Sequence, residues 1–335
     1  MEYRNLGRSG LKVSVIGLGT HYFGWLHDEA TSIAVIKRAM DDGITFIDTA
    51  DVYDMGRSEE FVGKAIKGRR SDLVLATKFG WPMGGGPSGA PVDPRPNARG
   101  GSRHYVMSAA EASLKRLHTD YIDLYQIHFP DPTTPIEETL RALDDLVRAG
   151  KVRYVGCSNF AAWQVSEAMW TSRVNNLHAF ATAQPLYNIL QRQIEQELVP
   201  CCEAHGIGII PWGPLAGGFL TGKYRRDKPP PANTLLATKP MAYDRIMTDG
   251  NWAKLAKLEA FAVKRGHTIG ELAIAWLLAH PWLCSVIAGA SRPDQLQEHI
   301  AAAAWTLNPE ELRELDKICA DEVGSERRFA LRSTA

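Results

Sequence analysis

The sequence has no surplus of charge of either sign, since 38 basic side chains face 38 acidic ones. That balance removes the basic field expected of a nucleic-acid binder, and no nucleic-acid partner is expected. Long hydrophobic runs are missing as well. The most apolar stretch, Leu272 to Leu283, is interrupted by tryptophan, histidine and proline and falls short of the roughly 18 residues that suggest a membrane span. Met1 to Gly10 carries Glu2, Arg4 and Arg8 and no apolar core, so no secretory leader is expected and the cytoplasm is the expected compartment. The five cysteines form no CxxC pair, which argues against a zinc knuckle or a disulfide framework. Ten histidines include no HExxH or other ligand pair, and no metal site is expected.

Two phosphate-binding motifs are also incomplete. Gly17-Leu18-Gly19-Thr20-His21-Tyr22 follows a strand pattern and precedes a helix, but Tyr22 stands where a dinucleotide fingerprint needs its third glycine. Gly217 to Lys223 fits GxxxxGK, but Tyr224 replaces the serine or threonine that would hold magnesium. A nucleotidase reading is therefore weak.

What is present is a regular alternation of short β-branched runs and longer helical patterns. A hairpin over Tyr3 to Leu6 and Leu11 to Val13, turning at Arg8-Ser9-Gly10, precedes a strand at Val15 to Leu18 and a helix over Thr31 to Gly43. Strands at Thr45 to Asp48, Leu73 to Thr77 and Ile122 to Ile127 then alternate with helices at Ser58 to Lys67 and Tyr105 to Leu117. Thr134-Pro135-Ile136-Glu137 reads as a capping box with proline at N1, and Gly150 as the stop of that helix. Val152 to Gly156, Ala179 to Ala183, Ile207 to Pro211 and Leu283 to Ile287 complete the strands, with helices at Trp163 to Trp170, Gln193 to His205, Trp252 to Arg265 and Pro293 to Ala302. Eight strand and helix units without a composition break predict one domain over residues 1–335, a (β/α)8 TIM barrel with an N-terminal hairpin. A further C-terminal helix is capped by Asn308.

Two segments break this rhythm. Residues 79–101, rich in glycine and proline, and residues 214–249, with Pro229-Pro230-Pro231, each follow a strand, where a barrel carries its active-site loops. Strand parity is equally informative. Phe46 with Asp48, Val74 with Ala76 and Lys78, and Leu124 with Gln126 and His128 each share a face that ends in a titratable group at the catalytic end of a barrel.

Gly43-Ile-Thr-Phe-Ile-Asp48-Thr-Ala-Asp-Val-Tyr53, Ala76-Thr-Lys78-Phe-Gly and Gln126-Ile-His128 resemble, in order and spacing, the signature of the aldo-keto reductase superfamily. The resemblance runs from Leu6-Gly7 to about Ala301 and takes in Gly156-Cys-Ser158-Asn159-Phe160, Gln184-Pro-Leu-Tyr187-Asn188, the segment from Pro214 to Lys223 and Gly289-Ala-Ser-Arg292-Pro-Asp-Gln295. It implies reversible hydride transfer between NADPH and a carbonyl carbon, with Asp48, Tyr53, Lys78 and His128 as a catalytic tetrad and a small carbonyl or alcohol as substrate. The chemistry is consistent with those roles. A carbonyl that accepts hydride needs a proton at oxygen. A lysine ammonium beside Tyr53 is expected to favour phenolate and make the tyrosine a better acid. Asp48 is expected to hold Lys78, and His128 to orient the substrate oxygen.

For the cofactor, the resemblance assigns Ser158, Asn159 and Gln184 to the nicotinamide carboxamide and Trp212 to the ring face, where tyrosine is common. Gly19, Thr20 and Gly213 fall among the same implied contacts. Leu215, Gly217 and Lys223 fall on the loop over the pyrophosphate, where small residues let backbone N–H groups approach phosphate. Gly289, Ser291, Arg292, Gln295, Glu298 and His299 lie around the last strand and the following helix N-terminus, with Arg292 implied for the adenosine 2′-phosphate. Gly289, Gln295 and His299 depart from the lysine, arginine and asparagine of the best-known members and resemble the bacterial and channel-associated branches. NADPH is implied over NADH. His21, Tyr22, Trp25, Trp81 and Phe129 are expected to line an aromatic substrate mouth. The competing expectation is a channel-associated regulatory subunit of the same fold that senses nicotinamide redox state. The glycine-rich loop from Gly84 to Gly101 and the lack of a long extension before Tyr3 favour the enzyme.

Overall fold

The computed structural model describes residues 1–84, 91–232, 234, 237 and 245–320. The chain opens with an antiparallel hairpin, β1 (Tyr3–Asn5) and β2 (Lys12–Ser14). Its loop is closed by the Leu6 N–H donating to the Leu11 carbonyl (2.8 Å) and by the Ser9 hydroxyl donating to the Leu6 carbonyl (2.7 Å). Eight parallel strands follow: β3 (Ile16–Gly19), β4 (Phe46–Asp48), β5 (Val74–Phe79), β6 (Ile122–Ile127), β7 (Val152–Ser158), β8 (Thr182–Gln184), β9 (Gly208–Ile209) and β10 (Val286–Gly289). Their spatial order is β10-β3-β4-β5-β6-β7-β8-β9. Bridges Ile209↔Leu283 and Trp212↔Ile287 join the two ends, so the sheet curls into the expected (β/α)8 barrel.

Helices α1 (Glu29–Asp41), α2 (Arg57–Ala65), α3 (Arg103–Leu117), α4 (Ile136–Arg148), α5 (Ala162–Val174) and α6 (Leu198–His205) alternate with the strands. Then α7 (Asp249–Val263) and α8 (Ile269–Leu278) precede β10, while α9 (Pro293–Ala302) and α10 (Pro309–Cys319) follow it. Among the described residues no helix is long and apolar enough to cross a membrane.

Strand parity sorts the core into two layers. Phe46, Val74, Ala76, Leu124, Ile210 and Ile287 fill the barrel interior together with Leu6 and Val13, so the hairpin contributes apolar side chains to that interior. Ile47, Leu75, Tyr125 and Ile127 face outward and pack against the helices. The inward positions of β4, β5 and β6 thus carry apolar side chains until, at their carboxyl ends, Asp48, Lys78 and Gln126 replace them.

Four local expectations are corrected. The capping box at Thr134 does not form, because the Thr134 hydroxyl donates to Asp131 (2.8 Å) and Pro135 becomes the N-cap with ψ 131°. The helix expected over Gln193 to His205 is divided into a 3-10 turn at Gln193–Glu195 and α6, since Pro200 is tolerated in a first turn but not inside a longer helix. The late strands shift by a few residues, Ala179 to Ala183 becoming Thr182–Gln184 and Leu283 to Ile287 becoming Val286–Gly289. Continuous apolar runs carry no alternation to mark their ends. Finally, the sequence marks Leu272 to Leu283 only as an apolar stretch, whereas its first half belongs to α8. It is buried around most of its circumference, so the sequence has no polar face to reveal it, although the Thr268 and Glu271 capping box is written at its start.

Candidate active site

Asp48 ends β4 and Lys78 lies near the end of β5, both pointing into the barrel mouth. Beyond Asp48 the chain turns sharply, with left-handed φ at Asp54 (46°), Met55 (60°) and Gly56 (91°) before α2 begins. Tyr53 precedes that reversal, and its N–H donates to the Ala50 carbonyl (3.2 Å). The segment is tied down by hydroxyls: Thr20 Oγ1 donates to the Asp48 carbonyl (3.0 Å), and Ser58 Oγ lies 2.8 Å from Thr20 Oγ1 and 3.0 Å from Thr49 Oγ1.

The fully buried Lys78 ammonium donates to Asp48 Oδ2 (2.6 Å), to the Thr49 carbonyl (2.9 Å) and to Tyr53 Oη (3.1 Å). An ammonium has three protons, and all three are placed. Tyr53 therefore accepts from Lys78, and its own O–H is left to be given elsewhere. Burial opposes charge on Lys78, but the Asp48 carboxylate and the Tyr53 oxygen hold its pKa above the ordinary lysine value.

The expected acidification of Tyr53 is not the net result. Burial raises its pKa above 10, and the pull of Lys78 in the other direction only partly offsets this, with Asp48 and Asp51 adding to the rise. His128 is held well below the usual histidine value by burial, then by Lys78 and His21. Its imidazole is thus neutral near pH 7. The Nδ1 atom is buried without a hydrogen-bond partner, so a proton on Nε2 avoids stranding an N–H in an apolar place.

Asp48 has further supports that the sequence reading missed. Its Oδ1 accepts from Gln184 Nε2 (2.8 Å) and, at 3.4 Å, from Gln126 Nε2, while Gln126 Oε1 accepts from Thr182 (3.3 Å). A Cβ at Gly156 would stand 2.3 Å from Thr182 Oγ1, so glycine there leaves room for this network. Strand parity had placed Gln126 on the inward face, but a role for it needed the neighbouring strands.

Aromatic rings surround Tyr53. His21 meets it edge-on with centroids 4.8 Å apart, and His128 lies at 5.9 Å. Tyr22 and Trp25 pack on His21, while Phe129 stacks on His128 and meets Trp81 at 4.0 Å. The five residues expected at the substrate mouth are thereby gathered around the tyrosine. Burial pushes the Tyr22 hydroxyl up to about 12, so it stays protonated near neutrality.

The residues expected to hold nicotinamide also converge, although their polar groups are bonded to one another. Ser158 Oγ donates to the Gln184 carbonyl (2.8 Å), Asn159 Nδ2 donates to the His128 carbonyl (3.0 Å), and Trp212 Nε1 donates to Asn159 Oδ1 (3.0 Å). Gln184 directs its N–H to Asp48 instead of outward. Trp212 keeps 39% of its surface exposed and can offer a ring face. Beyond Gly213 and Leu215, Gly217 (φ 66°) and Gly218 (φ 90°) form a left-handed turn beside the Lys223 ammonium. Gly19 pairs with Gly289 across β3 and β10.

At the start of α9 the Ser291 N–H donates to Gln295 Oε1 (2.6 Å), and Arg292 is exposed and paired with Asp294 (3.1 Å). Glu298 is exposed on the same helix. His299 is buried with Nε2 3.2 Å from the Gly289 carbonyl, so it supports the strand from within and is not brought to the surface with Arg292. Among the described residues no group of three or more His, Cys, Asp or Glu is arranged to hold a metal ion.

The sequence model of the Aldo/keto reductase family matches residues 15–320. The chain is 38% identical over 344 residues to Aldo-keto reductase YhdN of Bacillus subtilis (strain 168), covering 97% of each. It is 39% identical over 308 residues to the Probable voltage-gated potassium channel subunit beta of Arabidopsis thaliana, covering 90% of this chain and 91% of that one. It is 36% identical over 334 residues to the Versiconal hemiacetal acetate reductase of Aspergillus parasiticus, covering 95% and 96%. With this barrel and these matches along nearly its whole length, the chain belongs to the aldo/keto reductase family.

Proposed function

We propose that the protein is an NADPH-dependent oxidoreductase that reduces an aldehyde or ketone to an alcohol, reversibly, with Tyr53 as general acid. The observation that carries this reading is the complete use of the Lys78 ammonium on Asp48, Thr49 and Tyr53, which leaves the tyrosine proton for the substrate. NADPH supplies the hydride when bound.

The chain's own residues do the rest. His128, neutral, donates through Nε2 to the carbonyl oxygen and orients it between itself and Tyr53. As negative charge develops on that oxygen, Tyr53 gives its proton, and Lys78 stabilises the phenolate that remains. Asp48, held by Gln184 and Gln126, keeps Lys78 charged and in place. The aromatic mouth from His21 to Phe129 fits a carbonyl with an apolar body.

The fit to a dinucleotide rests on the exposed face of Trp212, the left-handed turn at Gly217 and Gly218 beside Lys223, and Arg292 at the start of α9. Arg292 favours NADPH over NADH, because its surface pair with Asp294 is weak and a phosphate can displace it. Small carbonyl or alcohol partners and a cytoplasmic location belong to the same reading. The test is turnover of a broad carbonyl panel with NADPH consumption as readout. The likeness to a channel-subunit-named relative favours a second reading, in which the site senses cofactor redox state for a protein partner. Steady turnover of any panel member favours the enzyme, and tight NADPH binding without turnover favours the sensor.

A further inference from the structure

Among the described residues four large apolar side chains keep more than half of their surface exposed, and three of them lie on α5: Trp163 (65%), Trp170 (64%) and Val174 (58%). Steps of seven and then four residues put all three on one face of the helix. The opposite face, with Val165, Ala168 and Ser172, is buried. Two tryptophans on the wet side of a barrel helix are the composition of an interface centre and not of a solvated face.

The same face carries one charge of each sign, since Glu167 and Arg173 are both exposed. Neither forms an ion pair among the described residues. They are too far apart along the helix to pair with each other, because side chains meet at three or four positions. Glu167 precedes Trp170 by three residues and Arg173 follows it by three, so they stand at diagonally opposite corners of the face around Trp170. A two-fold axis at Trp170 that lays two copies of α5 steeply across each other, in one of the two possible senses, therefore brings each Glu167 onto the second copy's Arg173. Trp170 and Val174 then meet their own counterparts. This is the reciprocity that a contact between identical surfaces requires.

We propose that the exposed face of α5 is a self-association surface, occupied by α5 of a second copy of this chain crossed at Trp170. Charge complementarity selects that occupant: one carboxylate and one guanidinium on the face satisfy each other across the two-fold axis. A membrane surface is disfavoured, because the face has no ring of basic side chains around its tryptophans. Side chains of this size offer on the order of 400 Å² per copy, about half of what each partner gives to a standard interface. The dimer is accordingly weak and concentration-dependent. This inference is independent of the proposed reaction, since α5 lies in the outer ring of helices.

The experiment is sedimentation velocity of the full chain from about 2 to 500 μM at low salt, where a Kd on the order of 10 to 100 μM is expected. Trp170→Glu, at an exposed helix position, should leave only monomer with an unchanged far-UV spectrum. Glu167→Arg and Arg173→Glu should each weaken the dimer by at least about fivefold, and the two together should restore it to within about twofold, because the swapped charges pair again. Four results would each overturn the proposal: monomer throughout the range, a dimer that survives Trp170→Glu, single swaps without effect, or a double swap no better than the singles. A monomer that instead pellets with phosphatidylcholine vesicles would assign the tryptophans to lipid.

Discussion

Lys78 Nζ stands 3.1 Å from Tyr53 Oη and spends its remaining protons on Asp48 and the Thr49 carbonyl. The direction of proton flow follows from this count. A lysine with a free proton could compete as donor, whereas in the proposed reaction this one would only stabilise the oxygen that the tyrosine proton leaves behind.

The pH dependence should therefore lack a histidine limb. His128 is held well below the ordinary value by burial, then by Lys78 and His21, and Tyr53 is held above 10 by burial. The rate constant kcat/KM for reduction should be flat from about pH 6 to 9 and fall only where Tyr53 loses its proton. A break near pH 6.5 in the profile would mean that His128 must change charge.

Gln126 should matter for stability and for catalysis through Asp48. Gln126→Leu removes a donor to Asp48 and strands the buried Thr182 hydroxyl. The expected cost is about 1–3 kcal/mol in urea unfolding, with lower kcat and little change in NADPH affinity. An unchanged unfolding midpoint would mean that the 3.4 Å contact holds nothing.

Arg292→Ala should weaken NADPH by at least about tenfold and leave NADH nearly unchanged, because only the 2′-phosphate answers a guanidinium. Side-by-side fluorescence titrations check this. Equal losses would remove Arg292 from phosphate recognition.

The loop from Gly80 to Gly101 should govern substrate size. Its base is closed by the Gly100 N–H on the Gly80 carbonyl (2.9 Å), the Asp93 N–H on the Met83 carbonyl (2.9 Å) and the Gly101 N–H on Asp131 (2.7 Å). Residues 85–90 lie outside the described residues, and the prediction rests on the loop's start beside Lys78. Shortening it between Met83 and Asp93 should raise KM for a bulky ketone while sparing a small aldehyde and NADPH. A parallel fall for both substrates would assign specificity to His21 and Tyr22.

Much of this was legible along the chain because period-two parity and barrel topology act together. Asp48 and Lys78 could be placed at one mouth from three short strands. The contacts of Gln184 and Gln126 with Asp48 were not legible, since they join residues 136 and 78 positions apart and depend on which strands become neighbours. The net rise in the Tyr53 pKa was missed for a similar reason. Sequence shows the neighbouring charge, but not how completely the hydroxyl is removed from water. His299 illustrates the remaining gap: a helix position near Arg292 does not reveal which way its side chain turns.

The central claim is tested most directly by Tyr53→Phe, which deletes the proton and little else. Stopped-flow single-turnover reduction of a reactive panel carbonyl, with NADPH affinity measured by fluorescence in the same preparation, should give a rate lowered by orders of magnitude and affinity nearly unchanged. A variant that retains more than about a tenth of the wild-type rate, a loss below about 1.4 kcal/mol, would contradict Tyr53 as the acid.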